Sequence, residues 1–210
     1  MSTPPWRRIA AHGGLAVLLI RHGRTGLNAE RRFCGAGSDP SLDETGREQA
    51  MALRTRLGDD PQRWFCSPQL RARETASLLA PEARPTILDE LRELDQGQLE
   101  GLPIAEALRE HAEFFAAWKR DPSDVRVPGG ESMGELADRV ALAMAEVLRQ
   151  ATMQDLHTVA VVGHQMAQAA FVCRALAQPL SRWTEFQLHN ASANLLAWDG
   201  QTWSLQGRNL

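Results

Sequence analysis

The chain alternates between short apolar runs and longer segments with a helical repeat. Residues 15–20 and 158–162 are almost entirely apolar, which is typical of strands buried on both faces of a parallel sheet. Further strands are predicted at residues 63–66, 86–88, 193–198 and 202–205. Strands that alternate with helices predict an α/β fold of three layers, in which helices cover both faces of a mostly parallel open sheet.

Several helices are expected to begin at recognisable capping residues. Asp43 is a suitable N-cap for one helix, and Ser132 forms a capping box with Glu135 at the start of another. Ser67 and Pro68 are expected to open a third helix, because serine caps well and proline fits the first helical position. Two more helical segments are predicted at residues 103–119 and 164–177.

We expect one domain, formed by residues 14–210, because no linker, repeat or low-complexity tract interrupts the chain. Residues 1–13 are expected to form a flexible N-terminal extension. Residues 101–130 are expected to form a small helical cap over the functional site. The aromatic side chains at positions 114–118 fit two interpretations, a place in the core or a lining for a substrate cavity.

Composition and charge narrow the function classes. The net charge is −3 at pH 7 and no basic stripe occurs, which argues against nucleic acid as a partner. The apolar run at 15–20 is too short to span a membrane or to form a signal peptide, so no membrane partner is expected. Cys34, Cys66 and Cys173 lack metal-binding spacing; free thiols in the reducing cytoplasm fit them best.

Three short polar motifs follow predicted strands or open predicted helices. Arg21 and His22 follow the first strand, Arg71 lies in the first turn of a helix, and Gly163 and His164 follow a later strand. In open α/β sheets the carboxyl ends of the strands and the helix N-termini meet at the ligand site. Two histidines and two arginines at this edge predict a pocket for a phosphate dianion.

The same residues predict a reaction. A neutral imidazole can attack phosphorus while cations neutralise the equatorial oxygens. No pair of carboxylates has the spacing of a magnesium site, so we expect the Arg and His side chains to replace a metal. Expulsion of an alkoxide needs a general acid, and the segment at 91–100 offers Glu93, Asp95 and Glu100.

Six ordered sequence blocks resemble one family. These blocks are LLIRHGRTGLN, DPSLDETGREQA, CSPQLRARETA, LRELDQGQLEG, PGGES and VVGHQ. Together they resemble the histidine phosphatase superfamily, also called the phosphoglycerate-mutase-like family, over roughly residues 15–198. The branch they resemble most contains broad-specificity and α-ribazole phosphatases.

The resemblance implies roles for individual residues. His22 is similar to the phosphorylated nucleophile and Glu93 to the proton donor of the family. The residues that it assigns to the phosphate pocket are Arg21, Asn28, Arg71, Gly163 and His164. It also implies a phosphoglycerate-mutase-like fold and hydrolysis without metal or cofactor.

The sequence therefore predicts a metal-independent phosphatase that hydrolyses phosphate monoesters of small metabolites through a phosphohistidine. A cofactor-dependent phosphoglycerate mutase is the first alternative, but that branch carries a Tyr, a Lys and paired Arg residues. This chain has no Tyr, its only Lys is Lys119, and no Arg-Arg pair follows Arg32. A catalytically inactive phosphate-binding protein is the second alternative. The expected partner is a small phosphorylated metabolite; the oligomeric state is open, and a homodimer is one expectation.

Overall fold

The computed structural model describes residues 3–210, and its centre is a six-stranded sheet. The strands are β1 (Leu15–Arg21), β2 (Arg63–Cys66), β3 (Thr86–Ile87), β4 (Thr158–Gly163), β5 (Ala193–Trp198) and β6 (Trp203–Gly207). Their order across the sheet is β3-β2-β4-β1-β5-β6. The first four of these are mutually parallel, and β5 and β6 continue the sheet in antiparallel pairing. The predicted mostly parallel α/β fold is confirmed.

Eight α-helices within the described residues surround the sheet. They are α1 (Pro5–Ala11), α2 (Gly26–Ala29), α3 (Glu44–Leu57), α4 (Leu70–Leu79), α5 (Ile104–Glu110), α6 (Ala112–Arg120), α7 (Met133–Met153) and α8 (Gln165–Ala175). Short 3₁₀ turns occur at Asp89–Leu91, Gly97–Leu99 and Leu180–Phe186. None of these helices is both long enough and apolar enough to cross a bilayer.

Two hydrophobic cores lie on opposite faces of the sheet, because successive side chains of a strand point to opposite faces. Val17 and Leu19 of β1 belong to the core that contains α7 and α8. Leu18 and Ile20 belong to the core that contains α1, α3 and α4. Burial on both faces explains why β1 reads as a continuous apolar run.

Two of the three predicted helix starts are confirmed. The Asp43 side chain accepts a hydrogen bond from the Gly46 N–H at 2.7 Å, and Ser132 and Glu135 form the capping box. The third prediction is wrong, since α4 begins at Leu70 and not at Pro68. The Ser67 hydroxyl accepts a bond from the Gln69 N–H and lies 2.8 Å from Nε2 of His164. Its position is therefore set by the site and not by a helix cap.

The predicted helix at 103–119 is divided in two. His111 has φ −115° and ψ 37°, outside the helical region, and separates α5 from α6. Each short helix contributes side chains to the same cavity, Leu108 from α5 and Trp118 from α6 among them. The helical period of the sequence predicted helix on both sides of the break but not the break itself.

The N-terminal segment is more ordered than its sequence indicates, which corrects the expectation of a flexible extension for residues 5–11. These residues form α1, with Pro5 in the first helical turn. Trp6 is 6% exposed and its indole N–H donates to the Asp60 carboxylate, which also pairs with Arg7. A tertiary anchor thus stabilises a helix too short to be stable alone. Residues 1 and 2 of the predicted extension lie outside the described part.

Candidate active site

The sheet brings the two histidine motifs into contact. Arg21 at the end of β1 pairs in register with Gly163 at the end of β4, and the His22 N–H donates to the Gly163 carbonyl at 3.0 Å. The neighbouring strand β2 ends at Cys66, and the chain then turns through Ser67 into α4. Three parallel strands thus end at one edge, as expected for a ligand site in this kind of sheet.

His22 is held in one tautomer by a backbone carbonyl. Its side chain is buried at 4% exposure, and Nδ1 lies 2.7 Å from the Gly23 oxygen. A carbonyl oxygen can only accept, so Nδ1 carries the proton and Nε2 keeps its lone pair. Burial, reinforced by Arg71 and Arg21, lowers the pKa of His22 well below its usual value. The imidazole is therefore neutral near pH 7.

His164 packs beside His22 and is completely buried. The ring centroids are 5.3 Å apart at an interplanar angle of 57°, and Nε2 of His164 lies 2.8 Å from the Ser67 hydroxyl oxygen. Its pKa is also lowered well below the usual value, by burial first and then by Arg71 and His22. The two imidazoles are thus adjacent and uncharged.

Two arginines, Arg71 fully buried and Arg21 partly buried, bring positive charge to these rings. Arg21 donates to the Leu188 carbonyl at 2.7 Å and to Gln165, and burial lowers its pKa to about 10. Arg71 is 0% exposed and donates to the carbonyls of Ser38 and Gly35 at 2.8 and 3.1 Å. Backbone carbonyls hold both side chains in place, and the Asp39 carboxylate lies 4.0 Å from Arg71.

Three buried nitrogens around His22 have no hydrogen-bond partner among the described residues. They are Nε of Arg21, Nε of Arg71 and Nδ1 of His164. A buried polar group without a partner costs about 1–3 kcal/mol, and such groups are rare in folded proteins. Positive charge with spare buried nitrogens is the arrangement that an anionic ligand would satisfy.

Glu93 is the one carboxylate among the residues that line the cavity beside His22. It is 6% exposed, and its oxygens accept from the Met166 and Ala167 N–H groups of α8 at 3.1 and 3.0 Å and from the Leu94 N–H at 2.9 Å. The N-terminus of α8 therefore fixes the carboxyl group, because free N–H groups there favour an acceptor.

The two rival carboxylates have other partners. Asp95 is exposed and accepts from the Gly97 N–H at 2.9 Å. Glu100 accepts from the N–H groups of Gly35 and Gly37 and from the Ser38 hydroxyl. Neither lines the cavity. Geometry therefore favours Glu93 among the three candidates.

Asn28 lines the same cavity and belongs to a short loop network. Its side-chain oxygen accepts from the Thr25 N–H at 3.2 Å, which closes a capping box around α2. The Asn190 amide donates to the His22 carbonyl at 3.1 Å and lies 3.4 Å from the Asn28 oxygen. This network supports the backbone of His22 from the side of β5.

The cavity has a volume of about 380 Å³ and two kinds of surface. We use "polar end" for Arg21, His22, Asn28 and Glu93. We use "apolar wall" for Phe33, Leu94, Leu99, Ile104, Leu108, Phe114, Phe115, Trp118, Val127, Met166 and Trp183. Arg71 and His164 are fully buried next to the polar end and, like Gly163, are not among the residues that line the cavity. The aromatic side chains at 114–118 thus belong to the cavity wall as well as packing against the core.

The match to a family model covers residues 17–210, and the model describes the histidine phosphatase superfamily, branch 1. The chain belongs to this superfamily. A probable phosphoglycerate mutase GpmB of Salmonella paratyphi C is 34% identical over 92% of this chain and 89% of its own length. Phosphoserine phosphatase 1 of Hydrogenobacter thermophilus is 31% identical over 86% and 85% of the two chains.

Solved structures of similar proteins agree with this assignment. A mycobacterial glucosyl-3-phosphoglycerate phosphatase, solved with VO3, has a TM-score of 0.82 at 29% identity and covers 93% of this chain and 98% of its own. A putative α-ribazole-5'-P phosphatase of Escherichia coli has a TM-score of 0.81 at 26% identity, with 93% and 96% covered. This member of the histidine phosphatase superfamily is thus an enzyme of the phosphatase or mutase type.

Two supporting residues of this histidine phosphatase were not predicted from its sequence. The Gln69 side chain accepts from the Glu93 N–H at 2.9 Å and donates to the Gly35 and Ser38 carbonyls, the same two oxygens that Arg71 contacts. Gln69 therefore joins the Glu93 loop to the Arg71 pocket. Its position two residues before Arg71 was the only available signal.

Arg139 is the second such residue. It donates to the carbonyls of Glu90, Arg92 and Glu93 and pairs with the Glu131 carboxylate at 2.8 Å. It therefore holds the backbone of the Glu93 loop from α7. Nothing in the local sequence distinguishes Arg139 from the many other arginines of the chain.

Proposed function

We propose that this histidine phosphatase hydrolyses phosphate monoesters of small metabolites through a phosphohistidine on His22, without a metal. The observation that carries the proposal is the fixed tautomer of His22. The Gly23 carbonyl holds the proton on Nδ1, which leaves the Nε2 lone pair at the cavity. A neutral imidazole with a free Nε2 is the form that can attack phosphorus.

In the first step, Nε2 of His22 forms a bond to phosphorus as the bond between phosphorus and the ester oxygen breaks. The leaving alkoxide takes a proton from Glu93. Arg21 and Arg71 would neutralise charge on the equatorial oxygens together with His164, and Asn28 would donate to one of them. A bound phosphate dianion favours the protonated form of a neighbouring carboxyl group, as a general acid requires.

In the second step, water attacks the phosphohistidine. Glu93, left deprotonated by the first step, accepts a proton from the water, and the bond between Nε2 and phosphorus breaks. The products are inorganic phosphate and the starting form of the enzyme. One carboxyl group serves both steps because each leaves it in the state that the other needs.

Metal independence rests on the cations that the chain itself supplies. Arg21 and Arg71 keep their charge near His22, and burial makes each electrostatic contact stronger than in water. No group of three or more potential metal ligands converges within residues 3–210. We test this proposal by following hydrolysis of nitrophenyl phosphate in the presence of a chelator. We expect full activity, and complete, reversible loss on removal of divalent ions would contradict metal independence.

A phosphoglycerate mutase remains the second candidate, because several relatives at 34% identity are named probable phosphoglycerate mutases. A mutase must return the phosphoryl group to its substrate, whereas a phosphatase passes it to water. Incubation with 3-phosphoglycerate, with and without a bisphosphoglycerate primer, separates the two. We expect release of inorganic phosphate and no 2-phosphoglycerate; accumulation of 2-phosphoglycerate would favour the mutase.

A further inference from the structure

The apolar wall indicates which substrates the cavity selects. Six of its side chains come from residues 104–127, in the segment between the Glu93 loop and α7. Phe33 comes from a separate loop and stacks on Phe115 at a centroid distance of 6.0 Å and an interplanar angle of 23°. Two distant parts of the chain thus build one continuous aromatic surface.

The aromatic rings of this surface pack against one another. Phe114 meets Phe115 edge to face at 4.9 Å and lies 5.4 Å from Trp118, which is buried at 8% exposure. Offset and edge-to-face contacts of this kind are the stable arrangements for aromatic pairs. Because the rings hold one another in place, a ligand gains their contact area with little loss of side-chain entropy.

The cavity offers little that would hold a second anionic group. Apart from Arg21 at the polar end, the only other Lys or Arg among its described lining residues is Arg32. Its Nε donates to the Glu30 carboxylate at 2.7 Å and its terminal nitrogen donates to the Gly101 carbonyl at 2.8 Å. The Glu30 carboxylate and the Gly101 carbonyl therefore already engage Arg32, and a ligand carboxylate would have to compete with them.

We propose that the preferred substrates are phosphate monoesters of uncharged, apolar alcohols, aryl or alkyl in kind, and that a second anionic group is selected against. The inference rests on the proposed phosphatase function and deepens it. An apolar leaving group removes its own surface and that of the wall from water. A carboxylate placed there loses its hydration and has to compete with Glu30 for Arg32.

The test compares two substrates that differ only in this charge. Benzyl phosphate and 4-carboxybenzyl phosphate have nearly the same shape and leaving-group basicity, so the chemical step is matched. We expect kcat/KM to be about 100-fold higher for benzyl phosphate, and 3-phosphoglycerate to be poorer still. Equal values, or a preference for the carboxylated ester, would overturn the inference but leave the phosphatase function intact. Hydrolysis of neither ester, nor of nitrophenyl phosphate, would overturn both.

A cation introduced at the apolar wall tests whether the wall is the part of the cavity that discriminates between the two esters. Leu108 is 48% exposed and lines the cavity, whereas Leu142 is 68% exposed on α7 and does not. Leu108→Arg should reduce the ratio between the two esters by about fivefold, through a partly exposed ion pair with the carboxylate. Leu142→Arg, the matched control, should leave the ratio unchanged. The same ratio in both variants would place the leaving group away from the wall and overturn the inference.

Discussion

The polar end of the cavity and its apolar wall are built by different physical means. Around His22 the side chains are fixed by backbone groups, such as the Gly23 carbonyl and the α8 N–H groups, and Arg71 and His164 are fully buried. Along the wall the contacts are apolar, and Leu108 is 48% exposed. Reactive atoms need fixed positions to within fractions of an ångström, whereas a wall needs only shape. Changes at the polar end should therefore reduce the rate for every substrate. Changes at the wall should alter the relative rates for different substrates.

The two regions also differ in what they contribute to stability. The unpaired nitrogens of Arg21, Arg71 and His164 are destabilising in the free protein, because each lost a water partner on burial. Most of the wall residues belong to the larger core or pack against it, so they stabilise the fold as well as the ligand. An anion bound at the polar end should therefore raise the stability of the protein.

Removal of His22, the proposed nucleophile, should have the most severe consequence. His22→Ala should reduce kcat for nitrophenyl phosphate by at least about 10⁴-fold, because every later step depends on the phosphohistidine. Steady-state hydrolysis measures this directly. His157→Ala, whose side chain is 46% exposed, is the matched control and should keep full activity. Near-wild-type kcat in His22→Ala would exclude the proposed mechanism.

Glu93→Gln separates acid catalysis from positioning. Glutamine keeps the size of the side chain and an oxygen for the α8 N–H groups, but it cannot supply the proton. The phosphorylation step with benzyl phosphate should slow by about 10²–10⁴-fold. The loss with nitrophenyl phosphate should be smaller, because that leaving group needs little protonation. Single-turnover experiments measure this step.

The exposed neighbour Asp95 provides the control for this substitution. Asp95→Asn should change neither rate, because its carboxylate only accepts from the Gly97 N–H. A larger effect of Asp95→Asn than of Glu93→Gln would reassign the acid, as would equal losses of Glu93→Gln on the two substrates.

At the wall the expected effect is smaller and selective. Phe115→Ala should lower kcat/KM for benzyl phosphate by about tenfold and for methyl phosphate hardly at all, because only the larger leaving group reaches the ring. Phe186→Ala removes a buried phenylalanine that does not line the cavity; it should lower the melting temperature without changing the ratio. Equal losses for both substrates in Phe115→Ala would show that its role is structural.

The smallest effect concerns pH and stability. The pKa of His164 is lowered by burial. Below about pH 6.5 the histidine is therefore protonated in the unfolded chain and still neutral in the folded protein. The free energy of unfolding should therefore fall as the pH drops from 7.5 to 5.5, by up to about 1.4 kcal/mol per pH unit for each such histidine. Urea unfolding at the two pH values measures this loss.

Two variants separate the buried histidine from an exposed one. His164→Asn should lose less stability on acidification than the wild type, because it lacks one of the groups that resist protonation. His12→Asn, which alters an exposed histidine, should keep the wild-type pH dependence. An unchanged dependence in His164→Asn would contradict the assignment.

Sequence reasoning succeeded where a signal is local. The apolar runs predicted β1 and β4, and the motifs at their ends identified the residues that the structure gathers around His22. It failed where tertiary contacts decide. Helix α1 is only seven residues long and is anchored by Asp60, which lies far along the chain.

The same division holds within the site. Gln69 accepts a hydrogen bond from the N–H of Glu93, which lies 24 residues further along the chain. Arg139 donates to the Glu93 carbonyl across a separation of 46 residues. No periodicity or motif in the sequence predicts these hydrogen bonds, because they depend on how the loops pack. The start of α4 was misplaced for a related reason, since the Ser67 hydroxyl contacts His164 and does not cap a helix.

The most direct test is to trap the intermediate and find which nitrogen carries it. Glu93→Gln with labelled nitrophenyl phosphate should accumulate phosphoenzyme, because the leaving group needs no acid while water lacks its base. Rapid quench and mass spectrometry should then find one phosphoryl group on Nε2 of His22, labile in acid and stable in base. Label on Nδ1, on another residue, or on none while hydrolysis proceeds would contradict the account.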